Sequence, residues 1–492
     1  MKKILLFLAL ALCGCTGTPT TPDTVSPEPP AIFPDYADCT IPPNVAPLNF
    51  TLAEPFERAT VTFTGTDGQW SINARGGQFT IPATRWKKLL AANVGGSVSV
   101  RIAARRDGQW TAYAPFDLHI SPDPVDPYIA YRLIEPGYDM WSVMGLYQRD
   151  LEGYRQSPII ENRLTDGSCM NCHSFRMQDP DQMLYHLRGP NAGTMILKDG
   201  EIEKLNTKTD QTLSALVYPS WHPSGRFVAF SVNDTKQAFH MSGPNRVEVY
   251  DNVSDVVVYD VERHEIVSSP LIHDTDSFES MPTFSPDGRR LYFSVSEFVP
   301  DILSNHEAAR YSICSMEFDP ETRSFGERVD TLYNARTRGG NATFPRVSPD
   351  GRFLMYTRSD HSTFAIWHTE ADLWLIDLEA GSDSGSGEHI PLTAANSDDA
   401  ESYHSWSSNS RWIVFSSRRT DGAYTRPFIA HVDAEGTAGK AFLLPQRDVD
   451  FYDDFMYSYN VPEFISGRVK DQRRRASRIA KTNPGIDVRF SD

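Results

Sequence analysis

The residues with the clearest chemistry form one pentapeptide near the middle of the chain, Cys169-Met170-Asn171-Cys172-His173. Two cysteines separated by two residues and followed directly by a histidine are the pattern at which haem c is attached. The two thiols add to the vinyl groups of the porphyrin, and the histidine supplies a nitrogen ligand to the iron. The motif therefore predicts one covalent haem c, held by Cys169 and Cys172, with His173 as the proximal iron ligand.

Three other interpretations of the cysteine pair stay open. As half of a zinc site the pair needs further ligands, because structural zinc usually takes four, and the sequence contains no second C-x-x-C. A dithiol redox pair belongs at the start of a helix after a buried strand, and no such strand precedes Cys169. A structural disulfide between Cys169 and Cys172 is the third interpretation.

The first residues decide whether the chain is exported, which bacterial haem attachment requires. Met1-Lys2-Lys3 is positively charged, a short apolar run follows over residues 4–12, and Gly14-Cys15 comes after it. This resembles a bacterial lipoprotein signal, and the resemblance implies lipidation of Cys15 and anchoring in the cell envelope. Thr16 after the cysteine favours the outer membrane, facing the periplasm. An ordinary secretory signal is the alternative, and no later apolar stretch is long enough to span a bilayer.

Size and charge narrow the class of protein. The chain has 492 residues and a formal net charge of −17, which predicts two or three domains and argues against a nucleic-acid partner. Cys39 and Cys314 have no role in the haem or lipid predictions. A disulfide between them is possible by count alone, and Cys314 is predicted to be a small buried hydrophobic residue.

The residues before the motif divide into a tether and a small β domain. Residues 16–44 are rich in threonine and proline, which predicts a tether. Period-two alternation at 59–63 and 98–102, with turns between, predicts an immunoglobulin-like β-sandwich over 45–121, with one short helix at 83–92. A proline-rich boundary follows at 122–127.

A repeated motif dominates the rest of the chain. Each copy joins a strand to an apolar strand through a tight turn of the Ser-Pro-Asp-Gly type, and a second strand pair follows. Successive copies are 63, 63 and 59 residues apart, measured at Gly225, Gly288, Gly351 and Ser410. The four copies span residues 218–231, 281–294, 344–357 and 403–416. Four strands in each repeat predict the blades of a β-propeller.

The Ser-Pro-Asp-Gly-Arg repeats resemble the TolB-like β-propellers of the bacterial envelope, over about residues 190–446. The resemblance implies an all-β fold with six or seven blades and says little about function, because such propellers bind partners, close enzymes and scaffold complexes alike. The predicted division is a signal at 1–15, the tether, the sandwich, an early blade with an inserted haem-binding segment at 128–192, the propeller at 193–465 and a basic tail at 466–492. One C-x-x-C-H motif joined to such a propeller resembles envelope lipoproteins whose biochemical role is not settled.

The group on the far side of the iron determines what a haem does. A second strong ligand favours electron transfer, whereas an open position favours chemistry on a small molecule. Residues 179–186 are predicted to form a short helix with Met183 and His186 on one face. His186, Met183 or another methionine, His222 or His240, and no side chain at all are the alternatives. His222 and His404 also replace the serine and the proline of the other repeats, which marks a site near the propeller axis or only sequence drift.

The sequence thus predicts an exported, lipid-anchored protein with one haem c, no catalytic residue outside the haem site, and a role in electron transfer with a redox or envelope protein as partner. A haem enzyme acting on a small molecule is the second hypothesis. A haem-free propeller that binds or scaffolds proteins is the third.

Overall fold

The computed structural model describes residues 21–135, 142–212, 214–243, 245, 247–380 and 387–491. Within them the chain is almost entirely β-structure, arranged as an N-terminal sheet domain and a propeller of six blades. The predicted lipidation residue, Cys15, lies outside the described residues. No described helix combines the length and the apolar character that crossing a bilayer requires.

Nine strands and one helix form the N-terminal domain: β1 (Thr24–Val25), β2 (Ile32–Phe33), β3 (Thr40–Ile41), β4 (Thr51–Leu52), β5 (Arg58–Gly65), β6 (Gly68–Ala74), α1 (Ala83–Ala92), β7 (Ser97–Arg106), β8 (Gln109–Ala112) and β9 (Phe116–Ile120). The main sheet has the order β1-β8-β7-β5-β6, with β9 joining β7 to β3, while β2 and β4 pair separately. Alternate residues of β5 are buried, as the period of two requires. The helix α1 buries Trp86, Leu89 and Leu90 in the same core.

The structure does not confirm the predicted sandwich, and it corrects the predicted tether. The immunoglobulin-like sandwich over 45–121 is not confirmed, because the domain has one large sheet accompanied by a helix and a two-stranded sheet. The tether predicted for 16–44 is corrected in its described part: β1, β2 and β3 pair with later strands, and Tyr36 and Cys39 are buried. A proline-rich segment can be ordered when its apolar residues reach a core that other parts of the chain supply.

The first three blades contain these elements in chain order. Blade 1 has β10 (Tyr128–Ile134), β11 (Met144–Asp150) and β12 (Gln156–Glu161); blade 2 has β13 (Cys169–Phe175), β14 (Gln182–Arg188), β15 (Gly193–Lys198) and β16 (Glu201–Asn206); blade 3 has β17 (Leu216–Trp221), β18 (Phe227–Phe239), β19 (Val247–Asp260) and β20 (Glu265–Val267). Single 3₁₀ turns lie at Asn162–Thr165 and Arg176–Gln178.

The last three blades follow the same plan. Blade 4 has β21 (Ser277–Phe284), β22 (Arg290–Glu297), β23 (Ser312–Asp319) and β24 (Ser324–Tyr333), with α2 (Ile302–Asn305) and a 3₁₀ turn (His306–Ala308) between β22 and β23; blade 5 has, after α3 (Ala335–Arg338), β25 (Asn341–Val347), β26 (Phe353–Ser359), β27 (Asp372–Asp377) and β28 (Glu388–Pro391); blade 6 has β29 (Glu401–Trp406), β30 (Trp412–Ser417), β31 (Arg426–His431) and β32 (Phe442–Leu443). After α4 (Phe451–Asp454) comes β33 (Ser458–Ile465).

The ring closes because β33 returns to blade 1 and pairs antiparallel with β10. Blade 1 therefore takes its innermost strand from the far end of the chain, and the order within it is β12-β11-β10-β33. Closure of this kind gives β10 an antiparallel partner on its inner edge. The predicted β-propeller is confirmed, and it has six blades, the lower of the two predicted numbers.

The repeated turn has a direct structural cause. In the copy of blade 4, Ser285 Oγ donates to Asp287 Oδ1 (2.5 Å), and the same oxygen accepts from the backbone N–H of Arg289 (3.0 Å). Gly288 has φ of +74°, which favours glycine. Blade 5 repeats the contact between Ser348 and Asp350 at 2.5 Å. The residues of the repeat therefore recur because they form a polar turn between the innermost strand and the second strand of a blade.

The C-terminal residues are part of the fold, which corrects the tail predicted for 466–492. They form α5 (Arg473–Thr482), β34 (Ile486–Asp487) and β35 (Arg489–Phe490). The two short strands extend blades 2 and 3 by parallel pairing with β16 and β20. Ala476 and Ala480 of α5 are buried, and Lys204 Nζ donates to the carbonyl of Ala480 (2.9 Å).

Candidate functional site

The C-x-x-C-H motif lies in β13, the innermost strand of blade 2. It is therefore part of the propeller and not a segment inserted between early blades, which corrects the predicted division at 192/193. In the pairing with β14, Cys169 lies opposite Arg188 and Asn171 lies opposite His186. An extended strand rises about 3.3 Å per residue, which places the Cα atoms of Cys169 and Cys172 about 10 Å apart.

All six innermost strands carry the same bulge, in which the register shifts against the neighbouring strand. The first residue of each bulge has φ between 47° and 56°; these residues are Cys172, Tyr218, Met281, Phe344, Tyr403 and Val461. The second residue is proline in four strands, at 219, 282, 345 and 462, and histidine in the other two, at His173 and His404. The pair Cys172-His173 thus takes the place that an apolar or aromatic residue and a proline occupy in four of the other five innermost strands.

His173 is a buried imidazole that lacks a hydrogen bond of normal geometry. Its side chain is 1% exposed, and neither ring nitrogen makes a hydrogen bond of normal geometry. Burial and the nearby Arg132 lower the pKa of His173 to about 3, against a weaker raising effect from a hydrogen-bonding contact with the backbone of Val461. The ring is therefore neutral at pH 7, which is the state in which imidazole binds a metal.

Glu463 is the acidic group nearest to this ring, with its Oε1 3.7 Å from His173 Nε2. Its other oxygen accepts from the backbone N–H of Phe175 (3.1 Å). Burial raises the pKa of Glu463 to about 8, against lowering effects from Phe175 and Arg346. The proton therefore stays on the carboxylic acid at pH 7, and the pair is not a salt bridge.

Both cysteines of the motif are free thiols. The disulfide alternative is therefore not present between them in the structure. Cys169 is partly exposed, and burial raises its pKa. Cys172 is 7% exposed and lies near the phenol groups of Tyr218 and Tyr403, whose pKa values it raises in addition to the larger effect of burial.

The space around the motif limits what fits there without movement. A pocket of about 130 Å³ on the propeller axis is lined by His173, His404, Arg346 and Glu463 among others. Pockets that hold drug-sized ligands are typically about 300–1,000 Å³. The donor set of the motif fits a haem, because the thiols are free and the imidazole is neutral and without a hydrogen bond. The pocket beside His173 is smaller than a macrocycle needs.

Of the predicted distal ligands, His186 lies nearest to the motif. It belongs to the strand β14 and not to the predicted helix, so that Met183 points to the opposite face and packs in the core between blades 1 and 2. His186 Nδ1 lies 3.1 Å from Thr194 Oγ1, and burial together with Arg188 lowers the pKa of the imidazole to about 3. His186 also lines a cavity of about 560 Å³ between blades 2 and 3.

The other residues noted in the sequence have structural contacts. His222 Nε2 donates to the carbonyl of Gly288 (3.0 Å) and links blade 3 to blade 4. His404 Nε2 donates to the carbonyl of Phe344 (2.7 Å). His240 is exposed near the tip of the β18–β19 hairpin. Cys39 and Cys314 are both buried and free, so the structure contains no disulfide between them.

Sequence analysis missed a second group of chemical residues, the histidine cluster, defined here as Glu248, His361 and His368. One ligand atom from each lies within 4.8 Å of the others. They are far apart in the chain: Glu248 lies on β19, and the two histidines lie between β26 and β27. Although burial raises the pKa of Glu248, hydrogen bonding to His361 and His368 lowers it to about 2.

A buried carboxylic acid, Glu279, gives blade 4 a pH-dependent stability. Burial raises the pKa of Glu279 to about 8, with smaller effects from Asp274 and Asp255 in the same direction and an opposing hydrogen bond from Ser277. Because the folded state favours the protonated acid, its stabilisation is complete below pH 4.5 and is lost as the pH rises to 8, by up to about 1.4 kcal/mol per pH unit. We expect Glu279→Gln to flatten the free energy of unfolding over this range in urea titrations. An unchanged slope, equal to that of the exposed control Glu327→Gln, would show that Glu279 is charged in the folded protein.

Comparisons with known proteins add the following. No family model and no curated protein matches the chain. TolB from Acinetobacter baumannii has 14% identity and a TM-score of 0.43, over 78% of this chain and 85% of that chain. A putative 6-phosphogluconolactonase from Bacteroides fragilis has 10% identity and a TM-score of 0.35, over 66% and 98% of the two chains. An oligogalacturonate lyase in complex with manganese has 14% identity and a TM-score of 0.26, over 48% and 54%. The six-bladed assignment rests on the strand pairing described above, and these likenesses concern the fold alone.

Proposed function

We propose that this protein is a lipid-anchored envelope protein whose six-bladed propeller carries one covalent haem c and transfers electrons to or from an envelope partner. The observation that carries the proposal is His173. A buried imidazole without a hydrogen bond of normal geometry, at a position where four other strands have proline, costs stability and calls for a compensating role. Ligation of an iron ion by the ring nitrogen provides one.

Each residue of the motif has a defined task in this proposal. Cys169 and Cys172 hold the porphyrin through two thioether bonds, and His173 binds the iron. His186 is the candidate for the opposite side of the iron, because its ring is neutral at pH 7 and it belongs to the strand next to the motif. The haem would supply one-electron transfer, with a potential set by the ligands and the burial of the site.

Attachment of the haem requires a change around β13. The pocket beside His173 holds about 130 Å³, and the two cysteines belong to one extended strand. A macrocycle therefore has to displace side chains that now pack beside this strand. We expect the haem-loaded protein to differ from the described arrangement in blade 2 and in the bulge at Cys172-His173.

The location forms part of the proposal. Lipidation at Cys15 would tether the chain to the periplasmic face of the outer membrane. An anchored propeller outside the cytoplasm is reached by the haem-attachment machinery and by redox partners of the envelope. A lipid at one end and an acidic surface overall, with a net charge of −17, would favour a partner with a basic docking face.

Covalent haem is the property to test first. We expect the full chain, produced in a periplasm with haem-attachment machinery, to give the pyridine haemochrome spectrum of haem c and an intact mass increased by one haem. Cys169→Ala/Cys172→Ala is expected to lose both signals. Cys39→Ala/Cys314→Ala is the matched control, since these free cysteines lie outside the motif, and it is expected to keep the haem. A low-spin spectrum favours electron transfer, and a high-spin spectrum with an exchangeable ligand favours chemistry on a small molecule.

An apo mass under these conditions would reject the haem proposal. The second candidate function, a haem-free propeller that binds or scaffolds envelope proteins, would then stand. The small axial pocket and the extended conformation of the motif favour this candidate.

A further inference from the structure

We propose that the histidine cluster, Glu248, His361 and His368, binds a divalent transition-metal ion, with Zn²⁺ as its first probe. The cluster lies on the upper face of the propeller, defined as the face at which the innermost strands begin. The first three strands of blades 3 and 5 pair antiparallel, so the connections between second and third strands return to this face. The β18–β19 hairpin of blade 3 and the segment between β26 and β27 of blade 5 therefore meet there.

The three side chains have the spacing of ligands around one ion. Glu248 Oε1 lies 3.5 Å from His361 Nε2, and Glu248 Oε2 lies 2.9 Å from His368 Nε2. Zinc binds imidazole nitrogen at about 2.0–2.1 Å and carboxylate oxygen at about 2.0–2.2 Å, so two ligand atoms of one ion are about 3–4 Å apart. The ligand atoms need only small movements to enclose the ion.

A partner behind the second histidine orients its ring. His368 Nδ1 lies 2.9 Å from Glu370 Oε1, on the side of the imidazole opposite Glu248. A carboxylate that accepts the remaining N–H of a histidine ligand fixes the ring and raises its basicity, and this arrangement is common around zinc. His368 is fully buried, and each of its ring nitrogens contacts a carboxylate oxygen at 2.9 Å, one from Glu248 and one from Glu370.

Hydrogen bonds made by residues outside the cluster hold the two segments of the cluster together. Asp251, buried in the hairpin, accepts hydrogen bonds from Tyr311 of blade 4 and Thr363 of blade 5, each at 2.8 Å. Ser362 Oγ donates to the carbonyl of Val249 (3.1 Å). These bonds join the hairpin to the segment that carries His361 and His368. A preorganised set of donors loses less entropy when it binds an ion.

Two buried ring nitrogens are incompletely bonded. His361 Nε2 has only the long contact of 3.5 Å with Glu248 Oε1, and His306 Nδ1 makes no hydrogen bond. The centroids of the two rings are 5.4 Å apart. His306 is therefore the candidate for a fourth ligand or for a partner of a bound water. Two imidazoles and one carboxylate suit zinc or ferrous iron, whereas calcium and magnesium prefer sites made of oxygen atoms alone. Three protein ligands with an open fourth position are typical of catalytic zinc sites.

The metal proposal is independent of the haem. The cluster uses residues of blades 3 and 5, whereas the C-x-x-C-H motif belongs to blade 2. Because free thiols and His173 are themselves able to bind zinc, the test uses the full chain with Cys169→Ala/Cys172→Ala as background. In this background neither haem nor a cysteine of the motif contributes to the signal.

The experiment measures Zn²⁺ bound per chain, by calorimetric titration and by elemental analysis after removal of loose metal. We expect one equivalent in the background protein. His361→Gln and Glu248→Gln are expected to weaken binding by about 100-fold or more. Glu370→Gln is expected to weaken it by about 10–100-fold, as loss of an outer partner does. His264→Gln is the matched control. His264 belongs to blade 3, as Glu248 does, but it lies outside the cluster, and its Nδ1 contacts Tyr259 OH.

Folding of each variant is checked by circular dichroism and thermal unfolding without metal. His361 is partly exposed and its substitution leaves the Asp251 framework in place, so this variant carries the test if Glu248→Gln fails to fold. Absence of stoichiometric binding in the background protein would overturn the proposal, and so would equal binding in His361→Gln and His264→Gln. Co²⁺ in place of Zn²⁺ provides a visible spectrum. This spectrum is expected to disappear in His361→Gln and to remain in His264→Gln.

Discussion

A chain truncated after Tyr457 is expected to lose the cooperative thermal unfolding of the propeller. The truncation removes β33, which pairs with β10 from Ser458 opposite Ile134 to Ile465 opposite Tyr128. It also removes the three large apolar side chains that β33 buries, Tyr459, Phe464 and Ile465. At about 1.5–3 kcal/mol for each large apolar side chain, they contribute about 5–9 kcal/mol, which is comparable with the entire stability of a domain, about 5–15 kcal/mol. The exposed edge of β10 adds a risk of aggregation.

The control is a chain truncated after Ser466, which keeps β33 and lacks α5, β34 and β35. These elements lie at the outer edges of blades 2 and 3 and bury few side chains. We therefore expect a cooperative transition at a lower temperature. Calorimetry and circular dichroism at several wavelengths compare the two chains. If both truncated chains unfold cooperatively with similar midpoints, closure by β33 is not what holds the ring together.

The blades could be predicted from the sequence where their turns are chemically explicit. A serine, an aspartate or asparagine and a residue with positive φ recur in blades 4, 5 and 6 because each turn forms the same short-range hydrogen bonds. Blades 1 and 2 lack this turn, and blade 1 also borrows β33 from more than 300 residues away. The sequence alone therefore predicts six or seven blades without deciding between them. Pairing between distant segments leaves no local pattern in a sequence.

The position of the haem motif shows a related limit. Cys172-His173 is equivalent to Tyr218-Pro219, Met281-Pro282 and Phe344-Pro345, but the equivalence rests on a bulge that only strand pairing defines. The sequence repeat places His404 where the other copies have proline. The match between Cys172-His173 and the residue-proline pairs of the later repeats is the sequence signal that could have predicted an innermost strand for the motif.

The histidine cluster was not predicted because its parts share no local pattern. Glu248 is more than 100 residues from His361, and the two approach each other only because the upper-face connections of blades 3 and 5 cross the ring. His361 and His368 are seven residues apart in an irregular segment, a spacing that fits no familiar metal motif. The short strands near the N-terminus were missed for a similar reason, since their partners lie about 20–90 residues further along.

His173→Pro is expected to have opposite effects on the haem-free and the haem-loaded protein. Proline fits this backbone, because four of the six innermost strands have proline after a residue with φ near +50°. In the haem-free background Cys169→Ala/Cys172→Ala, the change removes a buried imidazole without a hydrogen bond and is expected to raise the free energy of unfolding by about 1–3 kcal/mol. In the chain with both cysteines, the haem is expected to stay attached while the iron loses its proximal nitrogen, which visible spectra record as a change of spin state.

His404→Pro is the matched control, because it makes the same substitution at the equivalent position of blade 6. His404 Nε2 donates to the carbonyl of Phe344 (2.7 Å) and lies 3.3 Å from the carbonyl of Met355. Loss of this donor leaves buried carbonyls without a partner, so we expect destabilisation by about 1–2 kcal/mol and an unchanged haem spectrum. The same substitution at two equivalent positions is thus expected to stabilise the chain at His173 and to destabilise it at His404. If His173→Pro destabilises the haem-free chain as much as His404→Pro does, His173 is a structural residue, and its neutral ring without a hydrogen bond no longer argues for an iron ligand.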